Sequence, residues 1–200
     1  MDDGTPIEIA NDDPLWNQAI QDVNAWRGAC LQHFSAAEAA VTETLLLLKA
    51  IPGRGEAVRL RHLIGQRFDD LSKLIEADGA FAKEGKAAAK ALLDLRTLEG
   101  LRSFLAHGQA KIALERTGKW IVILRHVSIR GQQAERLMLL FEQAEAEERH
   151  VDLKRKARSC ALFSAIFGEP LRAERAAPAM PDRALGFALS LGFPSLSPFG

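Results

Sequence analysis

Residues 14–51, PLWNQAIQDVNAWRGACLQHFSAAEAAVTETLLLLKAI, carry Trp16, Ile20, Val23, Arg27, Cys30, Phe34, Ala37, Val41, Leu45 and Leu48 at steps of three and four. That spacing is the core-facing stripe of an amphipathic helix. Asp13 ahead of Pro14 supplies an N-cap and a first-turn proline. Pro52-Gly53 removes a donor and invites a turn, so the helix must stop near Ile51. A helix of this length reaches about 55 Å if straight, and the rest of the chain has to pack along it.

Working outward, the segment before it is acidic. Asp2, Asp3, Glu8, Asp12 and Asp13 stand in residues 1–13 without one basic residue, which reads as a flexible, solvated terminus. After it, Val58, Leu63, Ile64, Phe68, Leu71, Leu74 and Ile75 predict a second helix over about 56–77, ended by Asp78-Gly79. An Ala- and Leu-rich stretch predicts a third over about 83–107, closed by Gly108. The period then changes. Residues 109–115 and 119–129 are rich in β-formers around Thr117-Gly118, the signature of a β-hairpin. Both faces of its second strand are apolar, so one face packs on the helices and the other on something else. From Gly131 to about Phe167, Leu137, Leu140, Phe141, Ala144, Val151, Leu162 and Ile166 predict a last long helix. Residues 169–200 hold five of the prolines with no sustained period and read as a flexible tail. The expected fold class is mainly α: a helical domain over 14–168 with an inserted β-hairpin at about 109–129 and a flexible C-terminal tail.

The bulk numbers narrow the function. With 26 basic and 26 acidic residues the chain has no overall positive charge, so nucleic-acid binding requires local concentration of charge. Such a concentration exists between Gly108 and Ile129, where Lys111, Arg116, Lys119 and Arg125 face only Glu115. It reads either as an anion-facing edge or as ordinary solvated strand charge. Cys30 and Cys160, each inside a helical pattern, read as reduced buried thiols, and no zinc-ligand spacing is present. No secretory leader and no apolar run of membrane-spanning length occurs, so the cytoplasm is the expected location and no membrane partner is expected. Phosphate-binding glycine loops, carboxylate metal clusters and nucleophile elbows are absent, and no cofactor or metal is expected.

One short segment points to chemistry: Leu101-Arg102-Ser103-Phe104-Leu105-Ala106-His107-Gly108. On a helical wheel Arg96, Glu99, Ser103 and His107 lie on the polar side, with Glu99, Ser103 and His107 at successive i, i+4 positions. Arg102 points about 140° away from His107. One straight helix does not aim both at one small target, whereas loosening at Gly108, or two copies of the chain facing each other, does. The segment resembles the signature of the HEPN superfamily, Arg with a following polar residue and then Leu-Ala-His-Gly. The resemblance implies a helical bundle that forms a homodimer, with a metal-independent ribonuclease site at the interface, as in toxin, phage-defence and RNA-processing members. It casts His107 as proton-transfer group and Arg102 as stabiliser of phosphorane charge, with Ser103 bonding the imidazole or a phosphate oxygen. Glu99, Arg96, Lys119 and Arg125 are the accompanying candidates for substrate binding. Ser103 replaces the commoner Asn or Asp, and the chain has no tyrosine, so it lacks the His-X-Tyr extension of toxins that an antitoxin modifies.

The same residues have a plain reading, in which Glu99 and Arg102 form a surface pair and His107 caps the helix end. Under it the chain is a non-catalytic helical module that binds RNA or a protein partner such as an antitoxin. His126 beside Arg125, and His62 beside Arg61, are further histidines next to arginines. Trp16, Trp26 and Trp120 read as core anchors before base-stacking platforms, and of the three only Trp120, next to Lys119 on a strand, is also a credible stacking residue.

Overall fold

A computed structural model describes residues 13–168 and 171–172. The acidic segment 1–12 and nearly all of the proline-rich segment 169–200 lie outside the described residues. The chain is mainly helical with one small antiparallel sheet. Helix α1 (Pro14–Lys49) is the spine. Asp13 caps it, its carboxylate accepting from the Leu15 N–H at 2.9 Å, and its buried stripe runs from Ala19 through Val23, Trp26, Cys30, Phe34 and Val41 to Leu48. Helices α2 (Ile64–Ile75), α3 (Ala82–Arg96) and α4 (Glu99–His107) follow. After them come strands β1 (Gln109–Leu114), β2 (Trp120–Arg130) and β3 (Gln133–Glu142), then α5 (Gln143–Ala161) and the short α6 (Phe163–Gly168).

Three expectations are corrected. Residues 133–142 form a third strand and not the start of a long helix. Gly131 and Gln132 both take positive φ, 53° and 67°, the backbone of a two-residue hairpin turn. That turn folds the chain back in register, with Val127 opposite Arg136 and Val122 opposite Phe141. Leu137, Leu139 and Phe141 alternate inward while Arg136, Met138 and Leu140 alternate outward, so pairing overrides the helix propensity of an Ala-, Glu-, Arg- and Leu-rich stretch. The hairpin is therefore two strands of a β1-β2-β3 meander.

The expected third helix is broken at Thr97-Leu98 into α3 and α4. Thr97 bonds back to the Asp94 carbonyl at 2.7 Å and so competes with the helical ladder. The second helix begins at Ile64, eight residues later than expected. The preceding chain is a short 3₁₀ turn and an extended run held by Arg67, which donates to the Arg61 and His62 carbonyls and to the Thr42 hydroxyl. Leu63, expected inward, is exposed, as are Leu140, Val151 and Leu162 of the pattern that predicted the last long helix.

The inner face of the sheet packs on α1 through aromatic contact. Trp26 lies 6.1 Å from Trp120 and 5.6 Å from Phe141, centroid to centroid, and its indole N–H donates to the Ala146 carbonyl at 2.7 Å. Trp120 is thus a core anchor and not a stacking platform. The outer face is open and mixed: Val127, Ile129, Met138 and Leu140 are each more than half exposed, and Lys111, Arg125 and Arg136 share that face. Cys30 and Cys160 are buried free thiols, which burial pushes up to about 12. Among the described residues no helix is long and apolar enough to cross a membrane.

Across the seam of α1 and α5 the Nε2 atoms of His33 and His150 lie 3.2 Å apart. Partial burial holds the His33 pKa below its ordinary 6.5, and the charges of His150, Lys154 and Arg158 press it in the same direction. The unfolded chain therefore takes up this proton more readily than the fold does. The resulting stability is present above pH 6.5 and is lost as the pH falls from there toward the lowered value. Thermal melts followed by circular dichroism between about pH 8 and pH 5 should show Tm falling on the acid side, and His33→Gln should flatten that fall.

Candidate functional site

The junction of α4 with β1 is built by three devices. Gly108 closes α4, its N–H donating to the Phe104 carbonyl at 2.8 Å. A Cβ there would stand 2.4 Å from that oxygen and 3.4 Å from the Arg125 carbonyl, so only glycine fits. From α1, Arg27 reaches across and donates to both the Leu105 and the Gly108 carbonyls. A cation on the terminal carbonyls of a helix satisfies orphan acceptors and suits the dipole. His107, the last residue of α4, is thereby held at the rim of the sheet.

At that rim the strands are unequal in length. β1 begins at Gln109, opposite Arg125, so β2 continues from His126 to Arg130 with β3 as its partner on one side. The gap is an open recess of about 600 Å³ lined by His107, Gln109, Arg125, His126 and Arg136 with apolar neighbours. The rings of His107 and His126 stand 6.2 Å apart, and Phe104 supports His126 edge-on at 5.7 Å. No carboxylate lines the recess. Among the described residues neither Arg125 nor Arg136 has an acidic partner. By strand alternation Arg125 and Arg136 stand on the open face of the sheet and His126, opposite Leu137, on the face turned to α4, so the recess wraps the sheet rim with the guanidiniums on one side and the imidazoles on the other.

The other expected residues are elsewhere. The Arg102 Nε donates to Glu38 of α1 at 2.7 Å and faces a second cavity of about 210 Å³, which Ser103 and Glu99 also line. Arg96 is engaged by Asp69 at 2.6 Å and Glu99 at 3.1 Å. Lys119 sits in the turn before β2, about 20 Å along the strand from Arg125. Within one chain, then, the expected group divides: His107 and Arg125 share the recess, Arg102, Ser103 and Glu99 share the cavity, Arg96 is tied into ion pairs, and Lys119 joins neither.

Arg136, Arg27 and Glu38 were missed by sequence reasoning. Arg136 reaches the rim of the recess only through the β2-β3 turn, opposite Val127 and on the other face of the sheet from His126, and the Gly131-Gln132 pair ahead of a β-capable run was the signal for it. Arg27 and Glu38 act across more than sixty residues of sequence and leave no local mark. Among the described residues no cluster of His, Cys, Asp and Glu is suited to a metal ion. No family model, curated protein or solved structure matches the chain.

Because the Phe104 carbonyl and its own helix turn confront any side chain at position 108, Gly108→Ala should destabilise the fold by about 1–3 kcal/mol. Urea unfolding followed by tryptophan fluorescence measures this directly.

Proposed function

We propose that the protein is a metal-independent endoribonuclease of HEPN type whose proton-transfer centre is the His107–His126 recess. The observation that carries this reading is the pair of imidazoles, His107 and His126, 6.2 Å apart at the rim of an opening that Arg125 and Arg136 also line, from the other face of the sheet, and that no carboxylate lines. A phosphodiester seated there meets two imidazoles, side chains able both to accept and to donate a proton. One imidazole takes the proton from the ribose 2′-hydroxyl as its oxygen attacks phosphorus. The other gives a proton to the departing 5′-oxygen. The products are a 2′,3′-cyclic phosphate and a free 5′-hydroxyl, with water neither consumed nor released. Arg125 and Arg136 stabilise the charge that builds on the phosphorane oxygens. In this reading the guanidinium that the HEPN signature places at Arg102 is supplied by the sheet.

The reading includes a homodimer. Val127, Ile129, Met138 and Leu140 form an exposed apolar strip beside the recess, and monomers rarely leave such a strip uncovered. A second reading, a non-catalytic HEPN-like module that binds RNA or a protein partner, is favoured by the capture of Arg102 by Glu38 away from His107.

Short single-stranded RNA incubated with the protein in EDTA distinguishes the two. Cleavage should occur, and His107→Ala and His126→Ala should each lower its rate by about 10²-fold or more with unchanged melting. Arg136→Ala should weaken RNA binding and reduce its salt dependence. Binding without cleavage in the parent supports the module. If all three variants bind and cleave like the parent, the recess has no such role.

A further inference from the structure

The second cavity lies one helical turn from the recess. Ser103 lines one and His107 the other, four residues or about 6 Å apart along α4. Its floor is apolar, made by Phe34, Phe68 and Leu95. Its polar groups are unevenly used. Arg102 gives its Nε to Glu38, and no described protein group takes the protons of its terminal amino groups. The Glu99 Oε1 is buried and accepts no directed hydrogen bond, although the Arg96 Nε stands beside it at 3.1 Å. The Ser103 hydroxyl has no protein partner among the described residues. The Oε1 is thus answered by the Arg96 cation, and it is the second carboxylate oxygen, the Ser103 hydroxyl and the Arg102 amino groups that have no described protein partner and are open to a ligand.

Resting on the ribonuclease reading, we infer that this cavity is a nucleobase pocket selective for guanine, seating the base next to the phosphate held in the recess. A volume of about 210 Å³ is below the usual range for whole small-molecule ligands and suits one flat ring system. The available groups are a planar donor fork and a carboxylate over an apolar floor. Their complement is a flat ligand with two adjacent acceptors on one edge and two adjacent N–H donors on another. Guanine offers O6 and N7 to an arginine, and its N1–H and exocyclic amine to a carboxylate, which is acceptor-only when ionised. Adenine has an amine where the arginine requires an acceptor, uracil has no amine, and cytosine has no second ring to reach both groups.

The test uses nucleosides, which carry no phosphate and therefore do not depend on the recess. Titration of the full chain with guanosine, adenosine, cytidine and uridine, followed by NMR amide shifts, should show guanosine binding at least about tenfold tighter than the others, the discrimination of one bidentate pair. The shifts should centre on α1, α2 and α4 around the cavity. Glu99→Gln should remove the preference. Because Glu99 also pairs with Arg96, a second variant guards against misfolding: Gly65 lines the cavity, and a Cβ added there meets nothing within 4 Å. Gly65→Leu should fill the pocket and abolish guanosine binding with Tm unchanged or raised, while His107→Ala leaves guanosine binding intact. Equal affinity for guanosine and adenosine, or undiminished guanosine binding in Gly65→Leu, overturns the inference. Guanosine selectivity in a protein that cleaves no RNA leaves the pocket standing and removes the ribonuclease, whereas RNA cleavage without nucleoside selectivity does the reverse.

Discussion

Everything that concerns the site depends on two neighbouring residues of α1. Trp26 fills the space between the spine and the sheet and anchors the start of α5 through the Ala146 carbonyl. Arg27, about 100° further round the helix, holds the end of α4 through the Leu105 and Gly108 carbonyls. The consecutive pair therefore sets the position of α4 relative to the sheet from one rigid support. A recess formed between the last residue of one and the rim of the other is only as well defined as that relation. Removing the Arg27 guanidinium would leave two carbonyls at a helix end without their donor, and orphan acceptors of that kind are costly when water does not reach them.

Charge is partitioned with a similar economy. The chain is neutral overall, and most of its arginines near the helices are answered by carboxylates: Arg54 by Glu84, Arg96 by Asp69 and Glu99, Arg102 by Glu38, Arg155 by Asp152. In the basic stretch at residues 154–158 of α5, Arg155 and Lys156 share the single carboxylate of Asp152, and no described ion pair holds Lys154 or Arg158. Exposed pairs of this type contribute little stability, but they cancel local potential. The sheet rim, with Arg125 and Arg136, is one place where cancellation fails, and Lys154 and Arg158 on α5 are another.

The helices were legible where one period ran unbroken. The stripe from Val23 to Leu48, the Asp13 cap and the stop at Pro52 follow from spacing and backbone chemistry, and the Thr117-Gly118 turn named the first hairpin. The third strand was not legible because Leu137, Leu140, Phe141 and Ala144 satisfy a helical period as well as Leu137, Leu139 and Phe141 satisfy a strand period. The decision lay in tertiary pairing with β2. The break at Thr97 was hidden for a related reason, since the flanking residues are good helix formers and the one local mark at the break is the Thr97 hydroxyl bonding back to the Asp94 carbonyl. In the candidate site, His107 and Arg125 were legible as charged groups near a helix end and on a strand. Their company was not, because His126 and Arg136 reach them through strand register and Arg102 leaves them through a pair with Glu38 sixty-four residues away.

That outcome bears on how the Arg-to-His signature is to be understood in this chain. Five residues on one helix separate two side chains by about 140°, and α4 remains helical through both positions, so the geometry offers no local way to bring them together. A strand solves the problem differently. Successive residues alternate faces, while neighbours two apart or across a pair lie on the same face. Arg125 and Arg136 reach one side of the β2-β3 hairpin by this rule, as their register against Met138 and Val127 records. Held on paired strands, they are better fixed than a lone arginine at a fraying helix end. Under the proposed function, the histidine resembling that signature would keep its place at the helix terminus while the cationic half of the site would come from the sheet. The Arg102 Nε is held by Glu38, and in the same proposal its remaining donors would face the adjoining cavity.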